Sequence, residues 1–224
     1  MTCGARRVVI VGGRPDGHGR VVIETARATQ DVKVMGFLDD APCAPTVAGA
    51  AWLGRIEESI ERCRDQGMSF HIAIGHNPTR RRLAGLIVAL GGTLATLVHP
   101  RAIIFESAVI GQGTLVAAGA VVGPGARVGT DCIVNHGALV EHDAVLADHV
   151  NVSSGFVSGG RIRLEEGVFA GIGASVLPDV VVGRWAFLGA GAVVVSDATP
   201  HSLYVGVPAR RVRVLGTDEA PRTP

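Results

Sequence analysis

Aromatic side chains are scarce in this chain. Its 224 residues include six Phe, two Trp and one Tyr, a poor supply for a conventional packed core. Charge of one sign is also missing. With 21 Lys and Arg against 20 Asp and Glu the formal net charge is +1, and the basic residues form no long tract. This balance gives no argument for a nucleic-acid partner, and none is expected. No apolar run reaches the ~18 residues that suggest a membrane span, so no membrane partner is expected either. The segment "RRVVIVGG" is basic and then apolar, but its apolar run is far too short for a secretion signal. The four cysteines, Cys3, Cys43, Cys63 and Cys132, lack C-x-x-C spacing. They read as reduced thiols of a cytoplasmic protein, not as a disulfide set or a zinc site.

Glycine is abundant, at 31 residues, and the second half of the chain repeats. Steps of six from Ile104 to Val194 visit sixteen positions, and fourteen of them are Ile, Leu or Val. Only 30 of the 96 residues from 104 to 199 are of these types, so an arbitrary frame would catch about five. Two residues before the apolar position stands a small one: Ala108, Thr114, Ala120, Ala126, Cys132, Ala138 and Ala144. Alternation along a strand points both inward. The residue after the apolar one is often Gly (Gly111, Gly123, Gly129, Gly159, Gly171, Gly183, Gly189), where it is expected to permit a tight turn. Six residues per side and three sides per coil predict a triangular parallel β-helix of about five coils. At ~4.8 Å per stacked strand it is roughly 24 Å tall. One residue before each apolar position the side chain faces outward. Two such columns, Val121, Leu139, Val157, Ser175, Val193 and Leu115, Ile133, Asn151, Phe169, Phe187, are apolar for a surface. Both are expected to form contacts between copies of the chain.

The first half reads as an α/β unit of nucleotide-binding size. "RRVVIVGG" is a buried strand ending in glycine, "RVVIETARATQ" a helix, "KVMGFLDD" a second strand, "FHIAIGHN" a third and "TRRRLAGLIVALGG" a second helix. A Gly-rich turn at a helix N-terminus offers N–H groups to phosphate. Asp39 and Asp40 follow at the distance where an acid can hold ribose or base. "GGRPDGHG" is not G-x-G-x-x-G, which disfavours a dinucleotide. A mononucleotide, a sugar nucleotide and a purely structural turn stay open.

Three histidines interrupt the apolar stretch from 134 to 152. His136 and His142 sit at equivalent places on successive hexads, hence on different sides of the prism, so they cannot chelate one ion within a subunit. No metal is expected. "EHD" at 141–143 sets His142 beside carboxylates, and a neutral imidazole can accept a proton. Asp143 can hold that ring only if a turn lies between them. His149 and His99 receive no role, and His71 and His201 are expected at the surface or in loops.

The hexads resemble those of the hexapeptide-repeat acyltransferases, and "YVGVPARRVR" resembles their exit segment. Together with "VVIVGG…DGHG", "FLDD", "AIGHN" and "VEHD", the chain resembles the bacterial sugar-nucleotide acetyltransferases. That group includes N-acetyltransferases of UDP-4-amino sugars and of perosamine, and sialic acid O-acetyltransferases. The resemblance implies a Rossmann-like α/β domain over 1–98, a left-handed parallel β-helix over 99–215, a flexible tail over 216–224, and a homotrimer. It implies acetyl transfer from acetyl-CoA, without a metal, to the amino group of a nucleotide-linked amino sugar in surface-glycan synthesis. O-acetylation of a sugar hydroxyl, or a non-catalytic β-helix scaffold, are the alternatives. By the same resemblance His142 is the general base and Asp143 its acidic partner. Gly17, His18, Asp39, Asp40, Gly75 and Asn135 touch the nucleotide sugar, and Asn151, Gly160, Ile172 and Ala190 touch acetyl-CoA. Two features depart from the pattern. The glycine loop is two residues longer and contains Pro15, and Asn151 stands where a histidine is common.

Overall fold

A computed structural model describes residues 5–14, 17–42 and 44–216. Cys3, Pro15, Cys43 and all but the first residue of the expected 216–224 tail lie outside the described residues. The N-terminal unit runs β1 (Arg6–Val11), α1 (His18–Ala28), β2 (Val32–Leu38), β3 (Thr46–Val47), β4 (Ala50–Gly54), α2 (Ile56–Asp65), β5 (Ser69–Ile72) and α3 (Asn77–Ala89). Its sheet order is β3-β4-β2-β1-β5, parallel except for the β3/β4 pair. β1 is fully buried over Val8, Val9, Ile10 and Val11, as a central parallel strand must be. The expected strands and helices are present, and β3, β4 and α2 are additional. α2 buries Ile56, Ile60 and Cys63 on one face and carries Glu57 and Glu58 in its first turn and Arg62 and Arg64 in its last, in the sense its dipole favours.

A left-handed β-helix follows. β6 (Leu97–Val98) already pairs with the strand at Leu115–Val116, so the prism starts two residues before the expected boundary. Sixteen further two-residue strands, from Ile103–Ile104 to Val193–Val194, recur in the six-residue frame. Register partners are one coil of eighteen residues apart, as in Val121↔Leu139 and Leu139↔Val157. The knobs Val116, Val122, Val134, Val140, Val152, Leu164 and Leu188 are fully buried, as are Ala120, Ala126, Ala138 and Ala144 beside them. β23 (Ser202–Val205) and β24 (Arg210–Val214) close one face with an antiparallel hairpin.

The glycines divide into two sets, and one expectation is corrected. Gly111, Gly123 and Gly171, directly after their knobs, do not have positive φ. Their Cβ atoms would instead lie 2.4, 2.9 and 2.7 Å from backbone atoms of the next coil. The turn itself needs positive φ two residues later, at Gly113, Gly119, Gly125, Gly137, Gly155, Gly167, Gly173 and Gly191. In the same frame six non-glycine residues adopt that conformation: Asp131, Asp143, His149, Arg161, Asp179 and Trp185.

The three faces differ. The column Ile103, Val121, Leu139, Val157, Ser175, Val193 stays open, with Ile103 56% and Val157 44% exposed. The second expected contact column is corrected: Leu115, Ile133 and Asn151 are buried. Leu115, Ile133 and Leu97 share a cluster with Val8, Ile10, Val22 and Phe37 of the N-terminal unit, so this face is covered by the chain's own first domain. Fully burying side chains of this size is worth roughly 2 kcal/mol each. His71 is corrected as well. It is 1% exposed on β5, and its ring bonds the Ala95 carbonyl at 2.8 Å.

Candidate active site

The prism has three edges, each a stack of turns. On the edge between the open face and the third face, Asp143 takes φ +57°. This is the turn that "EHD" required. Nδ1 of His142 lies 2.9 Å from Oδ2 of Asp143, which fixes the tautomer and leaves Nε2 as the proton acceptor. Both side chains lie over glycines. A Cβ at Gly160 would fall 2.3 Å from Nε2 of His142, and one at Gly125 2.5 Å from Oδ1 of Asp143. Side-chain exposures of 46% and 62% leave the dyad open to whatever covers this edge. Above it Arg161 forms a two-pronged pair with Asp179 at 2.7 and 2.8 Å. The Gly160 N–H has no hydrogen-bond partner among the described residues.

A separate cleft of about 590 Å³ opens in the N-terminal unit. It begins at the carboxyl ends of β1 and β5, where parallel sheets of this kind bind ligands. Gly17, His18, Asp39, Asp40 and Gly75 all line it, with Arg14, Thr79 and Arg82. Gly17 caps α1, so that helix N-terminus faces the cleft. Gly13 is obligatory, since a Cβ there would be 2.0 Å from the Phe37 ring. Both aspartates are already engaged. Asp39 accepts from the N–H groups of Gly13 (2.8 Å) and Ala41 (3.0 Å), and Asp40 accepts from that of Ile56, the first residue of α2. Each carboxylate therefore ties down the cleft wall and keeps further lone pairs for a ligand.

Ile172, Ala190 and Asn135 stand on the edge between the covered and the open face. The N–H groups of Ile172 and Ala190 have no partner among the described residues, and Ile172 is 67% exposed. The positive-φ positions of this edge are glycine throughout: Gly119, Gly137, Gly155, Gly173, Gly191. A Cβ at Gly137, Gly173 or Gly191 would meet nothing within 4 Å, so the edge offers backbone to a long thin ligand. The Oδ1 of Asn135 accepts from the adjacent His136 N–H at 2.8 Å. His18 stands within electrostatic reach of His136, so the cleft loop approaches this edge. Burial, with the nearby His71, Arg80 and His136, lowers the His18 pKa to about 4. Asn151 sits not beside Gly160 but under the N-terminal unit. Its Nδ2 donates to the Gly75 carbonyl at 3.2 Å, and its Oδ1 is buried with no partner among the described residues.

The structure thus gathers five nucleotide candidates in one cleft and the dyad with Gly160 on another edge. Sequence reasoning missed a group at the third edge: Asp131, His149 and Arg80, bonded to one another in the interior. A hollow of about 770 Å³ nearby contains Arg81, 5.6 Å above the Trp185 ring and 3.1 Å from Glu166. It holds none of the candidates. Among the described residues no group of His, Cys, Asp or Glu could hold a metal ion, and no helix is long and apolar enough to cross a membrane. Cys63 and Cys132 are free and buried, and burial pushes the Cys132 thiol up to about 12.

Residues 7–87 match the PglD N-terminal domain, and residues 107–142 match the bacterial transferase hexapeptide family of six repeats. The UDP-N-acetylbacillosamine N-acetyltransferase of Bacillus subtilis (strain 168) is 35% identical over 110 residues, 48% of this chain and 50% of that protein, so the match spans half the length of that curated relative. The acetyltransferase domain of PglB from Neisseria gonorrhoeae FA1090, solved in complex with acetyl coenzyme A, is 34% identical. The match covers 93% of this chain and 100% of that one, with a TM-score of 0.88. PerB from Caulobacter crescentus, solved with CoA and GDP-perosamine, is 34% identical, with 94% and 98% covered and a TM-score of 0.85. With a shared fold, near-complete coverage and both sequence signatures in place, the chain belongs to the hexapeptide-repeat acyltransferases, in the sugar N-acetyltransferase subfamily.

Proposed function

We propose that this protein transfers the acetyl group of acetyl-CoA to the amino group of a nucleotide-linked amino sugar, with His142 as general base. The observation that carries the reading is the His142–Asp143 pair lying over Gly160, whose N–H is unpaired. The neutral amine attacks the thioester carbonyl, Nε2 of His142 accepts its proton, and Asp143 stabilises the imidazolium that results; the C–S bond then breaks and that proton passes to the departing CoA thiolate. The Gly160 N–H donates to the negative charge developing on the thioester oxygen. No covalent enzyme intermediate is needed when both substrates are held together. Acetyl-CoA fits the glycine edge, where Ile172 and Ala190 donate to its amide arm. The nucleotide sugar fits the cleft of Gly17, His18, Asp39, Asp40 and Gly75.

The dyad edge and the glycine edge, which His18 of the cleft approaches near His136, border opposite sides of one open apolar face. A ring of three copies packed through that face sets the dyad edge of each against the glycine edge of the next. The active form is therefore a homotrimer with three sites between subunits. Both substrates are cytoplasmic metabolites, which makes the cytoplasm its compartment. The test is thiol release from acetyl-CoA with nucleotide-linked amino sugars and with hydroxyl acceptors. Turnover of amino sugars is expected. Turnover of hydroxyl acceptors alone defeats the amine reading, and no turnover of either defeats the enzyme reading.

A further inference from the structure

One wall of the cleft hangs from the prism. Arg80, on the first turns of α3, is 1% exposed. Its Nη1 donates to the carbonyl of Ile74, in the cleft wall, at 3.2 Å and to Asn77 Oδ1 at 2.8 Å. Its other two nitrogens reach the prism: Nε donates to the Asp131 carbonyl at 3.0 Å and Nη2 to the His149 carbonyl at 2.7 Å. The Asp131 carboxylate, also 1% exposed, lies 3.2 Å from Nε and 2.9 Å from Nδ1 of His149. The next wall residue, Gly75, is held by Asn151 of the prism. Asp131 and His149 both take positive φ, at 52° and 62°, in positions that neighbouring coils give to glycine.

A buried ion pair is a poor way to glue two domains, because desolvating both charges offsets most of their attraction. Here an apolar contact through Leu97, Leu115 and Ile133 already joins the units. What the pair adds is direction. A guanidinium presents its donors in a rigid fork, and this one spans both domains at once. We propose that Arg80, Asp131 and His149 are positioning residues. They fix the angle between the nucleotide cleft and the prism, so that a sugar held by the first domain arrives at the acetyl group. The inference rests on the nucleotide reading of the cleft and assigns its registration to this clamp.

The test is a split between chemistry and binding. The double variant R80M/D131N removes both charges and keeps the side-chain volumes. It is expected to fold, to bind acetyl-CoA and bare UDP or GDP within about three-fold of the parent, and to lose about 10- to 100-fold in kcat, since small misplacement is costly. R80K keeps the charge but cannot span the three carbonyls, and it is expected to lose kcat in the same way with binding intact. Parental kcat in either folded variant overturns the proposal. So does a loss of nucleotide affinity as large as the loss of kcat, because the clamp would then only shape the pocket. Failure of both variants to fold overturns it too, as the pair would then be a stability element. Absence of nucleotide binding in the parent instead defeats the functional reading, and is visible before any variant is made.

Discussion

A methyl group at residue 160 would sit 2.3 Å from Nε2 of His142. Gly160→Ala must therefore swing the imidazole away from the place Asp143 gives it. The expected outcome is a fall in kcat of about 10²-fold, close to that of His142→Ala, which forfeits the ~10²–10⁴ of a general base. Melting temperature should barely move, because the two side chains of the dyad are 46% and 62% exposed. Steady-state kinetics with a parallel thermal melt checks both. His18 makes a different prediction. Its folded pKa of about 4 lies below the ordinary histidine value of 6.5, so the unfolded chain binds the extra proton. Stability is full above pH ~6.5 and declines as pH falls toward ~4, by at most about 3 kcal/mol from this residue. Buried His71, also shifted down by desolvation, acts in the same direction. Urea melts across this window should show the loss, and His18→Gln should shrink it.

At the level of elements, the start of α2 depends on a residue sixteen positions earlier. Asp40 accepts the Ile56 N–H at 2.9 Å, and Asp40→Ala leaves that donor unmatched. Loss of a comparable cap costs about 1 kcal/mol, hence a melting temperature lower by about 2–4 °C. The same variant should weaken nucleotide binding, because Asp40 and Ile56 both line the cleft; titration with UDP and GDP measures this. The prism was legible almost residue by residue, because one inward knob every six residues leaves a frame that no other packing keeps. α2 is written in the spacing of Ile56, Ile60 and Cys63, but three apolar positions between short segments without a strong strand signal make a faint pattern. The burial of Leu115 and Ile133 was not legible. Periodicity tells which side chains point out of a coil, and only the tertiary docking of the first domain decides which of those meet water. The link from His149 to Asp131 escaped for a related reason: the partners are eighteen residues apart in sequence and one coil apart in space.

For the molecule as a whole, a site divided between copies predicts complementation. His142→Ala and Asp39→Ala should each be nearly inactive as pure trimers, one lacking the base and the other the cleft. Co-expressed, they should regain measurable transfer, because some mixed rings pair an intact base edge with an intact cleft. Light scattering should report three copies, and mixed rings as silent as either parent would place the site within one subunit. The six positive-φ side chains of the prism bear on its history and on its use. Two edges carry them, and each touches either the dyad's surroundings or the first domain; the remaining edge has only hydrogen at those addresses. Holding a non-glycine residue there costs of order 1 kcal/mol, small against the interior packing and independent of it. New specificity can therefore be written onto such a column, one Asn or Asp at a time, while the scaffold beneath goes on folding as before.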